Sequence, residues 1–550
     1  MLRRQWPALA AGVLVVFVAA CGRSSAPDGA GRTVDLGPCT TDVSTDAELV
    51  HSLLPGVDQV RARQVAADRF GNGYRIAANQ AEIDYIHYLA DELRKLGASD
   101  VAVEPYTFTS WTPKTTQLEV LDGETPGPVK VAHFIPSSGN TGPDGLTAPV
   151  MYLSVLSAVN LVGGIYEALS QQNPGNIGLA IQALLQNTLY GGVSLLQAIT
   201  SGGVAGKIVV YDAPRLQLPI GVFEALSVYV NDSGGTLGPL TPYSRPFLEQ
   251  LLLIGAIDLL LKQAGAAGVI SVLDYPAQAA DNAYVPFGGL AIPSVPGIYL
   301  DRATGTALKQ QIAAAGLKPL MVKLTLDATQ NDTATSYNVS ALIPGACAQE
   351  IIVSSHSDGP NSIEDNGPAA ILSIADYFMR APVSQRRRGL RVVFTGGHFA
   401  GSPGLHAYIE EHKEALTANA LSVIEVEHLG AREWIELSPG AMGLSGLPEP
   451  LVLYSPMGSV QQQESVKFAQ QFDRSLVTVP LPFGEGPAWG SDAGLPLTQL
   501  ITGPVYLLNG PMPEVSTEFT DYELQQRQIT ALIQMVLNLN LQTSAALANK

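Results

Sequence analysis

A chain of 550 residues exceeds what one hydrophobic core fills, because single cores stop growing beyond ~250–300 residues. Hydrophobic residues make up 46% and charged residues 15%, which excludes a disordered chain. The formal net charge of −18 argues against nucleic acid, which calls for a basic surface.

Arg3 and Arg4 precede an apolar run from Ala8 to Ala20, closed by Val18-Ala19-Ala20-Cys21. A basic start, an apolar stretch too short to span a bilayer and a small-residue cleavage site make residues 1–20 an export signal. The cysteine at the cleavage point resembles a bacterial lipobox, so Cys21 is expected to become a lipidated first residue. That places the protein outside the cell, lipid-anchored to the outer face of the membrane. Losing residues 1–20 removes two arginines and no acid, leaving −18 − 2 = −20. Residues 21–45 are expected as a flexible tether, since "GRSSAPDGAGR" is rich in Gly, Ser and Pro. Cys39 and Cys347 then remain, enough for one disulfide in an oxidising compartment.

From residue 46 to 125 a helix precedes strands. "NQAEIDYIHYLADELRKLGA" has apolar residues at helical spacing and stops at Gly97, and "VAVEPYTFTSW" alternates as a strand. Residues 126–323 are rich in Gly and Pro, with short strands such as "GKIVVYDAP" and "AGAAGVISVLD" and long apolar stretches such as Val150 to Ala198, expected as helices. From 324 to 545 strands alternate with helices, which predicts a mostly parallel sheet with helices on both faces.

Three strands of this last part end at His356, His398 and Glu427. Ligands in open α/β sheets bind at the carboxyl ends of strands, and His nitrogen with carboxylate oxygen is what zinc takes. The competing reading of "HSDGPNSIEDNGP" is a polar loop capping a helix. His406 and His412 read as surface residues. His428 follows Glu427, so alternation turns it away. His51, His87 and His133 have no acidic company, and Ser357 lacks a nucleophile-elbow pattern.

In order, "NVSALIPG" with "IIVSSHSD", "EDNGPAAILSIADYF", "VVFTGGHFAGSPGLHAY", "VIEVEHLG", then "GSDAGLP" with "MPEVSTEF" resemble landmarks of the zinc-dependent aminopeptidase family. That family includes bacterial leucyl aminopeptidases, glutamate carboxypeptidase and glutaminyl cyclase, and the transferrin receptor belongs to the same superfamily. The resemblance covers about Asp46 to Leu541. It implies a three-layer α/β/α domain with a mostly parallel mixed sheet, formed by residues 46–125 and 324–545. Residues 126–323 resemble an inserted protease-associated domain.

Residue by residue, the resemblance implies a metal held by His356, Asp365 and Glu427, with the Asp358 carboxylate orienting the His356 ring. His398 stands where the family has its general base. Phe399 and Glu514 replace second-metal ligands, and Phe has no lone pair to give. The resemblance therefore implies one zinc ion, or none if the site is fully degenerate. Two functions follow from it: a non-catalytic or weakly active homologue that binds a peptide-like ligand or a protein partner, or a mono-metal hydrolase of peptide or amide bonds.

Overall fold

A computed structural model describes residue 39 and residues 47–154, 203–213, 215–249, 255–284, 295–478, 482 and 484–548. The export signal, Cys21, nearly all of the tether and the apolar stretch from 155 to 198 lie outside the described residues, while Val150 to Leu153, expected as helical, belong to a strand. No helix among the described residues is long and apolar enough to cross a membrane.

Helix α1 (Val57–Asp68) leads to α2 (Gln80–Leu96). The Asn79 side chain accepts from the Glu82 N–H at the start of α2, and Gly97 ends it with φ 86°. At that angle a Cβ would be strained, which is why glycine closes the helix. Strand β1 (Ser99–Val120) follows, then β2 (Leu146–Leu153), β3 (Ile208–Ala213), β4 (Gly268–Leu273) and β5 (Gly297–Leu300). Next come β6 (Met321–Ile343), β7 (Cys347–His356), α3 (Gly367–Arg380), β8 (Arg388–Thr395) and α4 (Pro403–Glu411). The chain continues through β9 (Ala420–Val426), β10 (Leu451–Tyr454), β11 (Ser475–Thr478) and β12 (Leu497–Thr502), and α5 (Tyr522–Leu541) packs near its end. After α4 comes a separate short helix at Lys413–Asn419.

Most of the described strands form one 15-stranded sheet whose central order is β5-β4-β3-β2-β6-β8-β7-β9-β12-β10-β11, and four others pair off in two small two-stranded sheets. Two parallel blocks, β2 to β5 and β8-β7-β9-β12, meet through β6, which is antiparallel to both β2 and β8. Strand β1 runs antiparallel to β6 along nearly its whole length, from Ser99 opposite Leu342 to Val120 opposite Val322.

Alternation along β7 builds the layers. Ile351 and Val353 face a core shared with α2, α3 and α5, while Ile352 faces a second core under α4 with Leu405, Tyr408 and Trp489. In α5, Ile529, Leu532, Ile533 and Val536 are buried in the first of these. Each such side chain stabilises by roughly 1.5–3 kcal/mol on burial. This is a three-layer α/β/α domain. Cys39 and Cys347 are joined by a disulfide across 308 residues, which ties the segment before α1 to the start of β7.

Candidate metal centre at the strand ends

Strand β7 stops at His356, and a turn carries Asp358, Glu364 and Asp365 to the start of α3. Asn361 builds that turn. Its side-chain oxygen accepts from the Ile363 and Glu364 N–H groups, while its amide donates to the carbonyls of Tyr506, Leu507 and Asn509. Gly367 must be glycine for a different reason: a Cβ there would lie 2.0 Å from Ser355 Oγ and 2.2 Å from the Val426 carbonyl. The helix start is thus pressed onto the ends of β7 and β9. Asn366 clamps the loop after β9 from both sides, donating to the Leu429 carbonyl at 2.7 Å and accepting its N–H at 2.9 Å.

That loop carries His428. The strand ends at Val426, and His428 adopts φ 59°, a left-handed conformation that breaks the alternation and swings its ring inward. The expectation that His428 points away is therefore corrected. His356, Glu364 and His428 are all buried, and one donor atom from each lies within 4.8 Å of the others. Glu364 Oε1 is 3.7 Å from His356 Nε2 and 4.0 Å from His428 Nε2.

The tautomers follow from the hydrogen bonds. His356 Nδ1 lies 2.9 Å from the Asp358 carbonyl, and His428 Nδ1 lies 2.6 Å from the Thr502 carbonyl. A carbonyl only accepts, so each Nδ1 carries the proton and each Nε2 presents a lone pair. Burial holds both imidazoles neutral, His356 well below its ordinary range and His428 down to about 3. Both Nε2 atoms and Glu364 Oε2 are buried with no hydrogen-bond partner among the described residues. Burial, then the carboxylates of Asp365, Asp358, Glu427 and Glu485, push the Glu364 carboxyl well above its usual range.

Such a set fits a zinc ion. Ligand bonds of ~2.0–2.2 Å in tetrahedral geometry place donor atoms about 3.4 Å apart, a few tenths of an ångström inside the two distances from Glu364 Oε1 to the histidines. Two neutral imidazoles and one carboxylate leave a fourth position open, the pattern of a catalytic zinc site.

Asp365, expected as a ligand, is elsewhere. The buried Arg75 guanidinium grips both its oxygens, with Nε 2.5 Å from Oδ2, so the adjacent Glu364 enters the cluster in its place. Asp358 also differs from expectation. It orients His356 through its backbone carbonyl, while its carboxylate Oδ1 accepts the His398 backbone N–H at 3.1 Å. Glu427 sits beside the cluster, with Oε2 3.7 Å from His428 Nε2, and burial raises it to about 7.

His398 opens a short turn after Gly397 and stacks on His356, ring centres 4.2 Å apart and planes 11° from parallel. Its Nε2 is 3.8 Å from Glu364 Oε1. The Phe399 ring stands edge-on to His398 and to Tyr284. Glu514 is exposed at the start of the helical turn Val515–Phe519 and takes no part in the buried group. His412 is bound to Glu104 and His406 to Asp492, both away from the cluster.

Solved structures carry this architecture. An aminopeptidase from Aneurinibacillus sp. strain AM-1 matches with a TM-score of 0.53 at 14% identity, over 90% of this chain and 95% of its own. A zinc aminopeptidase from Bacillus subtilis matches at 0.56 and 16%, over 90% and 98%. A Peptidase M28 precursor from Shewanella amazonensis matches at 0.57 and 15%, over 92% and 96%. The chain has the zinc aminopeptidase fold. No family model matches the sequence, and no curated protein does. On this zinc aminopeptidase fold the cluster lies where β7 and β9 end, as expected for a site in a parallel sheet.

Proposed function

We propose that the protein is a mono-metal hydrolase of peptide or amide bonds, with zinc held by His356, Glu364 and His428. The observation that carries this reading is the convergence of three buried side chains in which both Nε2 atoms and Glu364 Oε2 have no hydrogen-bond partner among the described residues. A zinc ion there would lower the pKa of water and polarise a carbonyl.

The remaining work falls to the chain itself. His398 Nε2 faces the cluster beside Glu364 and is placed to take the proton of an attacking water and return it to the leaving amine. Burial opposes protonation of His398, but the carboxylates of Glu485, Glu427 and Asp358 outweigh it and raise the imidazole above its ordinary value. The bond from the His398 N–H to Asp358 fixes the backbone from which the ring projects.

We further propose export and lipid anchoring through Cys21, on the strength of the basic and apolar start of the chain. A second reading, a non-catalytic binding protein, is favoured by the loss of Asp365 to Arg75 and by Phe399. Turnover separates the two. Zinc-loaded protein should hydrolyse members of a panel of aminoacyl and peptidyl p-nitroanilides. His398→Ala should lower kcat by about 10²–10⁴-fold while zinc content is kept. No turnover across the panel by fully zinc-loaded protein would leave the binding reading standing.

A further inference from the structure

Glu485 belongs to no recognised motif. It lies just before the short helix Pro487–Ser491, and its carboxylate is buried. One oxygen, Oε1, accepts the Thr395 hydroxyl at the end of β8. The other, Oε2, has no hydrogen-bond partner among the described residues. The same is true of His398 Nδ1, a buried nitrogen 3.9 Å away.

We infer that Glu485 is a positioning residue for His398: its Oε2 takes the Nδ1–H and so turns a lone pair on Nε2 towards the metal cluster. The inference rests on the hydrolase reading for its consequence, though not for its geometry.

His398 lies between two carboxylates, with Glu485 on its Nδ1 side and Glu364 Oε1 at 3.8 Å on its Nε2 side. Left to choose, a neutral imidazole could donate to either. If it donated to Glu364, it would compete with the metal for that oxygen and hold no lone pair where a proton must be collected. Donation to Glu485 removes both conflicts. The 3.9 Å separation exceeds a formed hydrogen bond, but such bonds are often long before the site is filled and tighten afterwards. Thr395 holds Oε1 in place and leaves Oε2 on the side of His398 Nδ1. The logic is that of a base oriented by a third group.

The experiment uses the full chain labelled with ¹⁵N-histidine. Its eight histidines give a countable spectrum, and His398→Gln assigns the ring in question. In zinc-loaded wild type, His398 should carry its proton on Nδ1. Glu485→Gln should shift it towards the Nε2–H form with zinc content unchanged. On a substrate that is turned over, the variant should lower kcat about 10–100-fold with little change in KM, and Glu485→Asp should recover part of the loss. An Nε2–H tautomer in wild type, or an unchanged tautomer in Glu485→Gln, overturns the inference. Absence of turnover in the wild type refutes the hydrolase reading alone, because the tautomer is read without substrate.

Discussion

The full chain should take up one equivalent of zinc, and His428→Ala should abolish that binding at micromolar metal. Three donors converge in the fold, so removing one leaves a bidentate site open to water. The loss should exceed the ~10–100-fold typical of partners that merely orient a ligand. Elemental analysis after loading and dialysis, with titration calorimetry for affinity, gives both numbers. His356→Ala should behave alike, whereas Glu427→Gln should weaken binding without removing it, because Glu427 stands beside the donors rather than among them. Full retention in His428→Ala with loss in Asp365→Asn would restore the ligand set that the resemblance implied, and two equivalents in wild type would defeat the mono-metal site. Circular dichroism of each variant separates metal loss from unfolding.

Arg75→Met should destabilise the protein by about 3–5 kcal/mol, the cost of leaving one member of a buried ion pair uncompensated. Both side chains are fully buried. The guanidinium also donates Nη1 to the carbonyls of Ala67 and Phe70 and lies over the Tyr85 ring, 4.3 Å from its centre. Burial already pushes Asp365 up to about 6 with Arg75 beside it, and without Arg75 it must rise further. A carboxyl raised in the folded state holds its proton there while the unfolded chain, with a value near ~4, has released it. Stability of the variant therefore falls as pH rises through that window. The loss relative to wild type, read from urea midpoints, should be larger at pH 8 than at pH 5. Equal losses at the two pH values would show that Asp365 carries no charge in the folded protein.

Much of this was legible in the residues. Apolar strands flanked by helix signals pointed to the parallel block β8-β7-β9-β12 but not to the second one, and the run from Ile351 to His356 pointed to a strand ending in a site. What escaped depended on turns and distant partners. Glu364 and Asp365 are adjacent acids in a tight turn, and nothing local says which one faces inward. The choice is made by Arg75, 290 residues earlier in the chain. His428 was lost to an alternation rule applied two residues beyond the last strand residue, where a left-handed φ reverses the side chain. Glu485 had no spacing to betray it. Its position comes from a loop that the fold, not the local sequence, lays against His398.

The long pairing of β1 with β6 has a consequence for how the chain is divided. Val120 and Val322 face each other across the ladder, so the chain leaves for residues 121–321 and returns at neighbouring points. A tight turn could in principle splice those points together, so residues 121–321 are an excursion that leaves and rejoins the ladder at one place. Cutting it out would not leave the rest intact. Its Ala132, Tyr211 and Tyr275 share one apolar cluster with Trp434, Tyr506 and Phe519 from the remainder of the chain. Excision would strip one wall from that cluster and leave aromatic rings bare to water. The two parts are thus adjacent along the ladder and inseparable in their packing, so stability is shared across the junction.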